Sequence, residues 1–331
     1  MSTPSGFPAA ALAGLPTPFY ELKRLGRHVG GARIWIKRDD MTGLAMGGSK
    51  VRALSALLEH ASSLDADTVI TCGPTTSNHV RLTAAAANLL GMRAVLVLPA
   101  TRPQANPQGN MLLNRILGAT VVHADDDSAA GLETMMAHVA GALWREGRRP
   151  YVIPGGGYSP IGSLGYIPLV QEIFDQAGRE GISVDALVFA SGSGCIQSGL
   201  HLGGLYHRRT VPILGVTINR SEAELRQRIE ADVAQAASLI GLNRTLACDD
   251  VHVLTEYLGD GYALPTPGGM RAIALAARLE GLLLDPCYTG KAMHAAMDVA
   301  GRRYRPGQNV VFIHTGGLPG IFSYSSEAYL S

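Results

Sequence analysis

The sequence predicts an α/β protein whose sheets are mainly parallel and flanked by helices. Strand-like apolar runs alternate with helix-like stretches along most of the chain, an order that buries parallel strands between helices. Three of those runs, Thr68–Thr71, Ala186–Ala190 and Val310–Ile313, lead into polar, glycine-bearing loops. In an open α/β sheet that edge, beyond the carboxyl ends of the strands, is where ligands bind.

The elements follow in order. Arg33–Lys37 reads as a strand, and Val51–Ser62 as a helix. The rhythm continues with strand Thr68–Thr71, helix Leu82–Leu90, strand Ala94–Leu98, helix Met111–Leu117, strand Thr120–His123, helix Ala129–Glu146 and strand Pro150–Ile153. The later half repeats it with helix Ile161–Gly178, strand Ala186–Phe189, helix Gln197–Leu205, strand Ile213–Thr217, helices Glu222–Leu239 and Thr266–Arg278, and strand Val310–Ile313. Gly155-Gly156-Gly157-Tyr158-Ser159-Pro160 is the strongest internal punctuation and marks a crossing between domains. The 331 residues suit two modest domains or one large α/β unit.

Composition narrows the partners. Charged residues make up 17% of the chain, against roughly 25% in an average soluble domain, so a surface that buries a partner is expected. A net charge of +1 without basic blocks argues against nucleic acid. No apolar stretch reaches the roughly 18 residues of a membrane span. Met1-Ser2-Thr3-Pro4 lacks a basic n-region, so no secretory signal is read. Cys72, Cys195, Cys248 and Cys287 are widely spaced, which predicts neither disulfides nor a zinc site and fits a reducing cytoplasm. The run Asp125-Asp126-Asp127 beside His123 lacks the alternation of a calcium loop and reads as a solvated turn.

Lys50 is the most informative residue. It follows Gly47-Gly48-Ser49 at a loop-to-helix junction, where glycines let a flat ligand approach and a helix start offers free N–H groups. An amine held there can attack an aldehyde cofactor, provided its surroundings keep it uncharged. A lone Gly-Gly-x-Lys is usually an exposed lysine after a turn, so the weight comes from its company. That company is Thr76-Ser77-Asn78-His79-Val80-Arg81, Ser191-Gly192-Ser193-Gly194-Cys195-Ile196-Gln197 and His314-Thr315-Gly316-Gly317-Leu318-Pro319-Gly320. Gly192-x-Gly194 suggests a dinucleotide loop, but Gln197 stands where the third glycine belongs.

With Pro16-Thr17-Pro18, Lys37-Arg38-Asp39-Asp40, Leu284-Asp285-Pro286-Cys287-Tyr288-Thr289-Gly290-Lys291 and Phe322-Ser323-Tyr324, these motifs resemble one family in order and over nearly the whole chain. It is the group of pyridoxal-phosphate enzymes of fold type II, tryptophan synthase beta-like, that includes D-cysteine desulfhydrase and 1-aminocyclopropane-1-carboxylate deaminase. The resemblance implies pyridoxal 5'-phosphate as cofactor and two nested α/β domains. Residues 1–50 and 161–331 would form the large cofactor-binding domain, and 51–160 the small one closing over the site. It also implies a homodimer.

By the same resemblance Lys50 occupies the Schiff-base position and, once released by substrate, moves the α-proton. Ser193, Gly194, Cys195, Ile196 and Gln197 match the phosphate loop. Asn78 matches the residue at the pyridine hydroxyl, and Thr315 the one facing the ring nitrogen. Ser77 matches the serine beside the substrate carboxylate and α-carbon, while Tyr262 and Tyr288 match two tyrosines that converge on the substrate. His79 is read as orienting Ser77 or helping in proton transfer, or else as a hydrogen-bonded structural histidine. Relatives commonly carry threonine at Ile196 and lysine at Ala53, so this chain is expected to hold the phosphate mainly through backbone amides.

Three local choices bear on the reaction. Thr289 stands where the deaminase typically has glutamate, His79 where it usually has glutamine, and the deaminase's terminal loop lacks the Thr-Gly-Gly-Leu-Pro-Gly found at Thr315–Gly320. All three favour β-elimination from a small β-substituted amino acid, with D-cysteine giving pyruvate, sulfide and ammonia. Ser49, Pro74-Thr75-Thr76 and Cys195-Ile196 depart from commoner residues. They leave room for an L-cysteate sulfo-lyase or a specialised secondary-metabolic lyase, and less so for the deaminase. A non-catalytic cofactor-binding homologue is the reading from a different class.

Overall fold

The computed structural model describes residues 12–100, 107–325 and 329, so the N-terminal segment read above lies outside the described residues. Among the described residues there are ten strands: β1 (Phe19–Glu21), β2 (Arg33–Lys37), β3 (Thr68–Cys72), β4 (Arg93–Pro99), β5 (Thr120–Ala124), β6 (Pro150–Ile153), β7 (Ala186–Ser191), β8 (Ile213–Thr217), β9 (His252–Leu254) and β10 (Asn309–Ile313). They form a six-stranded sheet in the order β1-β2-β10-β7-β8-β9 and a four-stranded sheet in the order β5-β4-β3-β6. Every pairing is parallel except β1 with β2. The four-stranded sheet draws all its strands from between residues 68 and 153.

Side-chain alternation along the strands explains why both sheet faces are covered. In β10, Val310 and Phe312 pack with Ile34, Ile36, Val188 and Val216, whereas Val311 and Ile313 pack with Trp35, Leu187 and Phe189 on the other face. The second cluster also takes in Leu54 and Leu57 of the helix Lys50–Ser63 and Val69 and Leu96 of the small sheet, so one core joins the two sheets. Each fully buried Leu, Ile or Phe there contributes about 1.5–3 kcal/mol.

The strand order places the site. In the small sheet β4 and β6 flank β3, so the order reverses between β3 and β6; in the large sheet it reverses between β10 and β7. A crevice opens where neighbouring connections leave in opposite directions. The loops at those two reversals are the Ser77 loop after β3, Gly155–Gly157 after β6, the Thr315 loop after β10 and the Ser193 loop after β7.

Some elements differ from expectation. The predicted helix over 161–178 is two helices, Pro160–Leu164 and Ile167–Arg179. Pro168 cannot donate to the carbonyl four residues back, and Gly165 lies so close to Arg52 that an added Cβ would stand 2.0 Å from the Arg52 carbonyl oxygen. The three-residue edge strands β1 and β9, and the helices Lys23–Val29 and Thr289–Arg302, were not read from the sequence. His123 and the three aspartates are exposed as expected: Asp126 accepts local hydrogen bonds from Ser128, and Asp127 accepts one from the Ala100 N–H across 27 residues.

Two buried histidines couple this fold to pH. His201, on the helix Cys195–His207, is 7% exposed and its Nε2 has no partner among the described residues. Burial, and then His252 nearby, lower its pKa to about 4; burial and then Lys50 lower that of His79 to about 3. The unfolded chain would bind protons near pH 6.5 that the folded chain refuses. The stability these neutral rings confer is therefore complete above about pH 6.5 and lost as pH falls toward 4 and below. Urea denaturation of His201→Leu should show a pH dependence between neutrality and pH 4.5 that is weaker by roughly 2–3 kcal/mol. An unchanged slope would exclude His201 as a contributor.

Candidate active site

The helix Lys50–Ser63 starts in the crevice, and its first residue is Lys50. The Ser49 N–H donates to the Thr315 carbonyl at 3.0 Å, tying this turn to the loop after β10. Gly48 has φ +135°, and a Cβ there would lie 3.3 Å from that same carbonyl, so the close approach calls for glycine. The Lys50 amine crosses the crevice to donate to the Gly156 carbonyl at 2.6 Å, with Ser193 Oγ at 3.4 Å. Burial pulls its pKa down, with Cys195 opposing weakly, which favours the uncharged nucleophilic amine.

The Ser193 loop ends at Gly194, which has φ +95° and precedes the helix Cys195–His207 without a side-chain cap. Its leading N–H groups are those an anion can use, and they stand beside Ser193, which Lys50 reaches. Cys195, Ile196 and Gln197 are buried. The Cys195 thiol turns to the Gly157 carbonyl at 3.2 Å, and the Gln197 amide donates to the His252 carbonyl at 2.9 Å. The Cys195 and Gln197 polar atoms are thus engaged with backbone carbonyls, which leaves the loop's backbone N–H groups to serve the cup. Ala53 and Ile196 are apolar and buried at 0% and 4% exposure and supply no donor. A lysine lowered in pKa beside an uncapped helix start fits an aldehyde-bearing phosphate such as pyridoxal phosphate.

Ser77 caps the helix Asn78–Leu89, accepting from the Val80 N–H at 3.3 Å. Asn78, at the first helical position, has its side-chain oxygen held by Arg81 at 3.0 Å and by Asn110 at 3.1 Å. His79 does not orient Ser77. The Thr71 hydroxyl donates to the Ile153 carbonyl and therefore accepts from Nε2 of His79 at 2.9 Å, a structural role for a neutral ring. His314 is likewise fixed as one tautomer. Its Nδ1 accepts from the Gly316 N–H and its Nε2 donates to the Leu283 carbonyl, which holds Thr315 between them in the chain.

The two tyrosines meet. Tyr262 and Tyr288 place their hydroxyls 2.5 Å apart, and Tyr262 lies 3.3 Å from the Thr76 hydroxyl, next to Ser77. Burial, ahead of the neighbouring charges, raises both pKa values, so both phenols stay protonated at neutral pH. Asp285 sets Tyr288 by accepting from the backbone N–H groups of Cys287, Tyr288 and Thr289 and from the Thr289 hydroxyl. Lys291 sets the Tyr262 loop by donating to the Leu258 and Gly261 carbonyls at 2.7 and 2.9 Å. The buried thiols of Cys72, Cys195 and Cys287 are pushed up to about 11, 11 and 12, chiefly by burial, which makes them poor nucleophiles.

Residues 10–316 match the family model described as pyridoxal-phosphate dependent enzyme. The chain belongs to that family. It is 39% identical over 325 residues to a D-cysteine desulfhydrase of Salmonella typhi, covering 96% of each chain. A Pyrococcus abyssi protein provisionally named 1-aminocyclopropane-1-carboxylate deaminase is 38% identical over 323 residues, covering 98% of this chain and 96% of the relative. The crystal structure of an "ACC deaminase homologue" superposes with a TM-score of 0.88 at 35% identity, covering 99% of both chains. The protein is thus a pyridoxal-phosphate-dependent enzyme of this fold.

Asn110, Arg81, Asp285 and Lys291 were not among the expected site residues. Arg81, Asp285 and Lys291 stood inside the motifs that carry the resemblance, but nothing in the sequence gave them a role. No helix among the described residues is long and apolar enough to cross a membrane. A cleft of about 540 Å³ lined by Pro212, Glu222, Arg226, His252 and Tyr304 includes none of the site residues.

Proposed function

We propose that this enzyme catalyses β-elimination from a small β-substituted amino acid, with D-cysteine the leading substrate, releasing pyruvate, sulfide and ammonia. The observation that carries it is the pair of protonated, touching phenols of Tyr262 and Tyr288 beside a position, Thr289, that bears no carboxylate. Thr289 is buried and its hydroxyl is consumed in the Asp285 cap, so no acid or base acts from there.

When bound, pyridoxal phosphate supplies an electron sink for the negative charge that develops at the α-carbon. Lys50 would carry the cofactor and move the α-proton, its amine shifted toward the uncharged form by burial. Ser193, Gly194 and the N–H groups of Cys195, Ile196 and Gln197 would hold the phosphate. Asn78 would donate to the ring hydroxyl oxygen. Thr315 would meet the ring nitrogen with a neutral group, which tempers the sink. Ser77 would hold the substrate carboxylate, and the tyrosine pair would give a proton to the departing sulfur. The chain would fold as two domains, 1–50 with 161–331 and 51–160, a division supported by the membership of the two sheets. Closure of the smaller one would exclude water. A cytoplasmic homodimer fits the low surface charge and the free cysteines.

Pyruvate and sulfide should be measured with D-cysteine, L-cysteine, L-cysteate and 1-aminocyclopropane-1-carboxylate side by side. Equal pyruvate and sulfide from D-cysteine is the expected result. Sulfite from L-cysteate, or ammonia and an oxo acid from the cyclopropane, without turnover of D-cysteine, would overturn the substrate assignment.

A further inference from the structure

Arg81 is fully buried, yet its hydrogen bonds reach only neutral acceptors. They are Asn78 Oδ1 at 3.0 Å, Asn110 Oδ1 at 2.8 Å and the Gly47 carbonyl at 2.8 Å. Its Nε–H has no partner among the described residues. Burial alone lowers its pKa to about 10, which leaves it a cation at neutral pH. The contrast with Arg52 is direct: that guanidinium is equally buried but grips the carboxylates of Asp39 and Glu172. A fold that needed only a strut would pair it with an acid, because a bare buried cation is costly.

The hydrogen-bond directions around Arg81 are forced. A guanidinium can only donate, so Asn110 must turn its oxygen to Arg81. The Asn110 NH₂ group then faces the Thr76 carbonyl at 2.7 Å and the Asn78 oxygen at 3.1 Å. The Asn78 oxygen is thereby held between two donors, and its NH₂ group is left to face away from Arg81. Arg81 also holds the Gly47 carbonyl, next but two before Lys50, so one charge sets both the lysine turn and the Asn78 amide.

We propose that Arg81 is a positioning residue acting through Asn78: it presents the Asn78 N–H to the ring hydroxyl oxygen of bound pyridoxal phosphate and supplies the positive charge that keeps that oxygen ionised. This rests on the reading above that Asn78 faces that oxygen. The helix Asn78–Leu89 thus brings a donor and, one turn behind it, an unneutralised cation to the same atom.

The test is the visible absorption of the holoenzyme, which distinguishes an ionised from a protonated ring oxygen, recorded at one neutral pH with cofactor affinity alongside. Arg81→Gln should lower the ratio of ionised to protonated forms by at least about tenfold and weaken cofactor binding by a similar factor. Arg81→Lys should restore the ratio to within about threefold. Asn110→Asp, which keeps the arginine but sets a carboxylate against it, should lower the ratio as Arg81→Gln does. It also removes the Asn110 NH₂ that holds the Asn78 oxygen, so it reads charge and Asn78 orientation together if Arg81→Gln fails to fold. Unchanged spectra in the variants that fold overturn the proposal, even with a lowered melting temperature, and leave Arg81 a structural strut. Borohydride reduction of the unaltered enzyme keeps the two failures apart: absence of a reduced adduct on Lys50 removes the cofactor assignment itself.

Discussion

Lys50→Ala is expected to lower turnover by at least about a thousandfold and to abolish the borohydride-reducible adduct, while the chain still folds. The general acid–base part alone accounts for about 10²–10⁴ in rate, and loss of the covalent hold on the cofactor adds to it. The structural loss is small by comparison. Lys50 sits at the first position of its helix, and what disappears is chiefly one hydrogen bond to the Gly156 carbonyl, worth about 1.5–3 kcal/mol if the amine is charged and less if it is neutral. Steady-state rates, peptide mass after reduction and an unfolding curve together check this. Residual turnover within tenfold of the unaltered enzyme, with a normal unfolding curve, would mean that another amine does the chemistry. Lys291 is poorly placed to substitute, since its amine is already held by the Leu258 and Gly261 carbonyls.

Much of the architecture was legible because it is local. Apolar runs bounded by glycine give β2, β3, β7 and β10 within a residue or two, and the loops that follow them carry Lys50, Ser77, Ser193 and Thr315. The edge strands β1 and β9 were not legible. At three residues each they carry too little alternation, and only pairing with β2 and β8 makes them strands. The supports behind the site were hidden for a different reason. Asn110 meets Asn78 across 32 residues, and Lys291 meets the Gly261 carbonyl across 30. Nothing in the local pattern of either segment announces the other. The sequence shows Arg81 only as the last residue of the Thr76–Arg81 motif, and the tertiary structure alone shows it buried.

The largest stability effect is expected from the charge cluster behind Lys50. Arg52, two residues after Lys50 on the same helix, binds Asp39 through Nε at 2.7 Å and Glu172 through both terminal nitrogens at 2.9 Å. Lys37 completes it, reaching Glu172 at 2.8 Å and the Thr17 carbonyl at 2.8 Å. The cluster joins the end of β2, the helix Ile167–Arg179 and the helix that carries Lys50. Two cations there balance two carboxylates, so the assembled set owes its survival to completeness, not to any one contact. Arg52→Met leaves the buried Asp39 and the mostly buried Glu172 facing a single lysine. The expected loss is about 3–5 kcal/mol, the range for breaking a buried pair from one side, read from urea denaturation. Pairing Arg52→Met with Asp39→Leu removes one charge of each sign and should cost less than the sum of the single changes, because each change relieves what the other leaves unpaired. Additive losses would show that the two side chains act independently. Since the same helix starts at Lys50, Arg52→Met should also weaken cofactor binding, and an unaltered affinity would confine the cluster to stability alone.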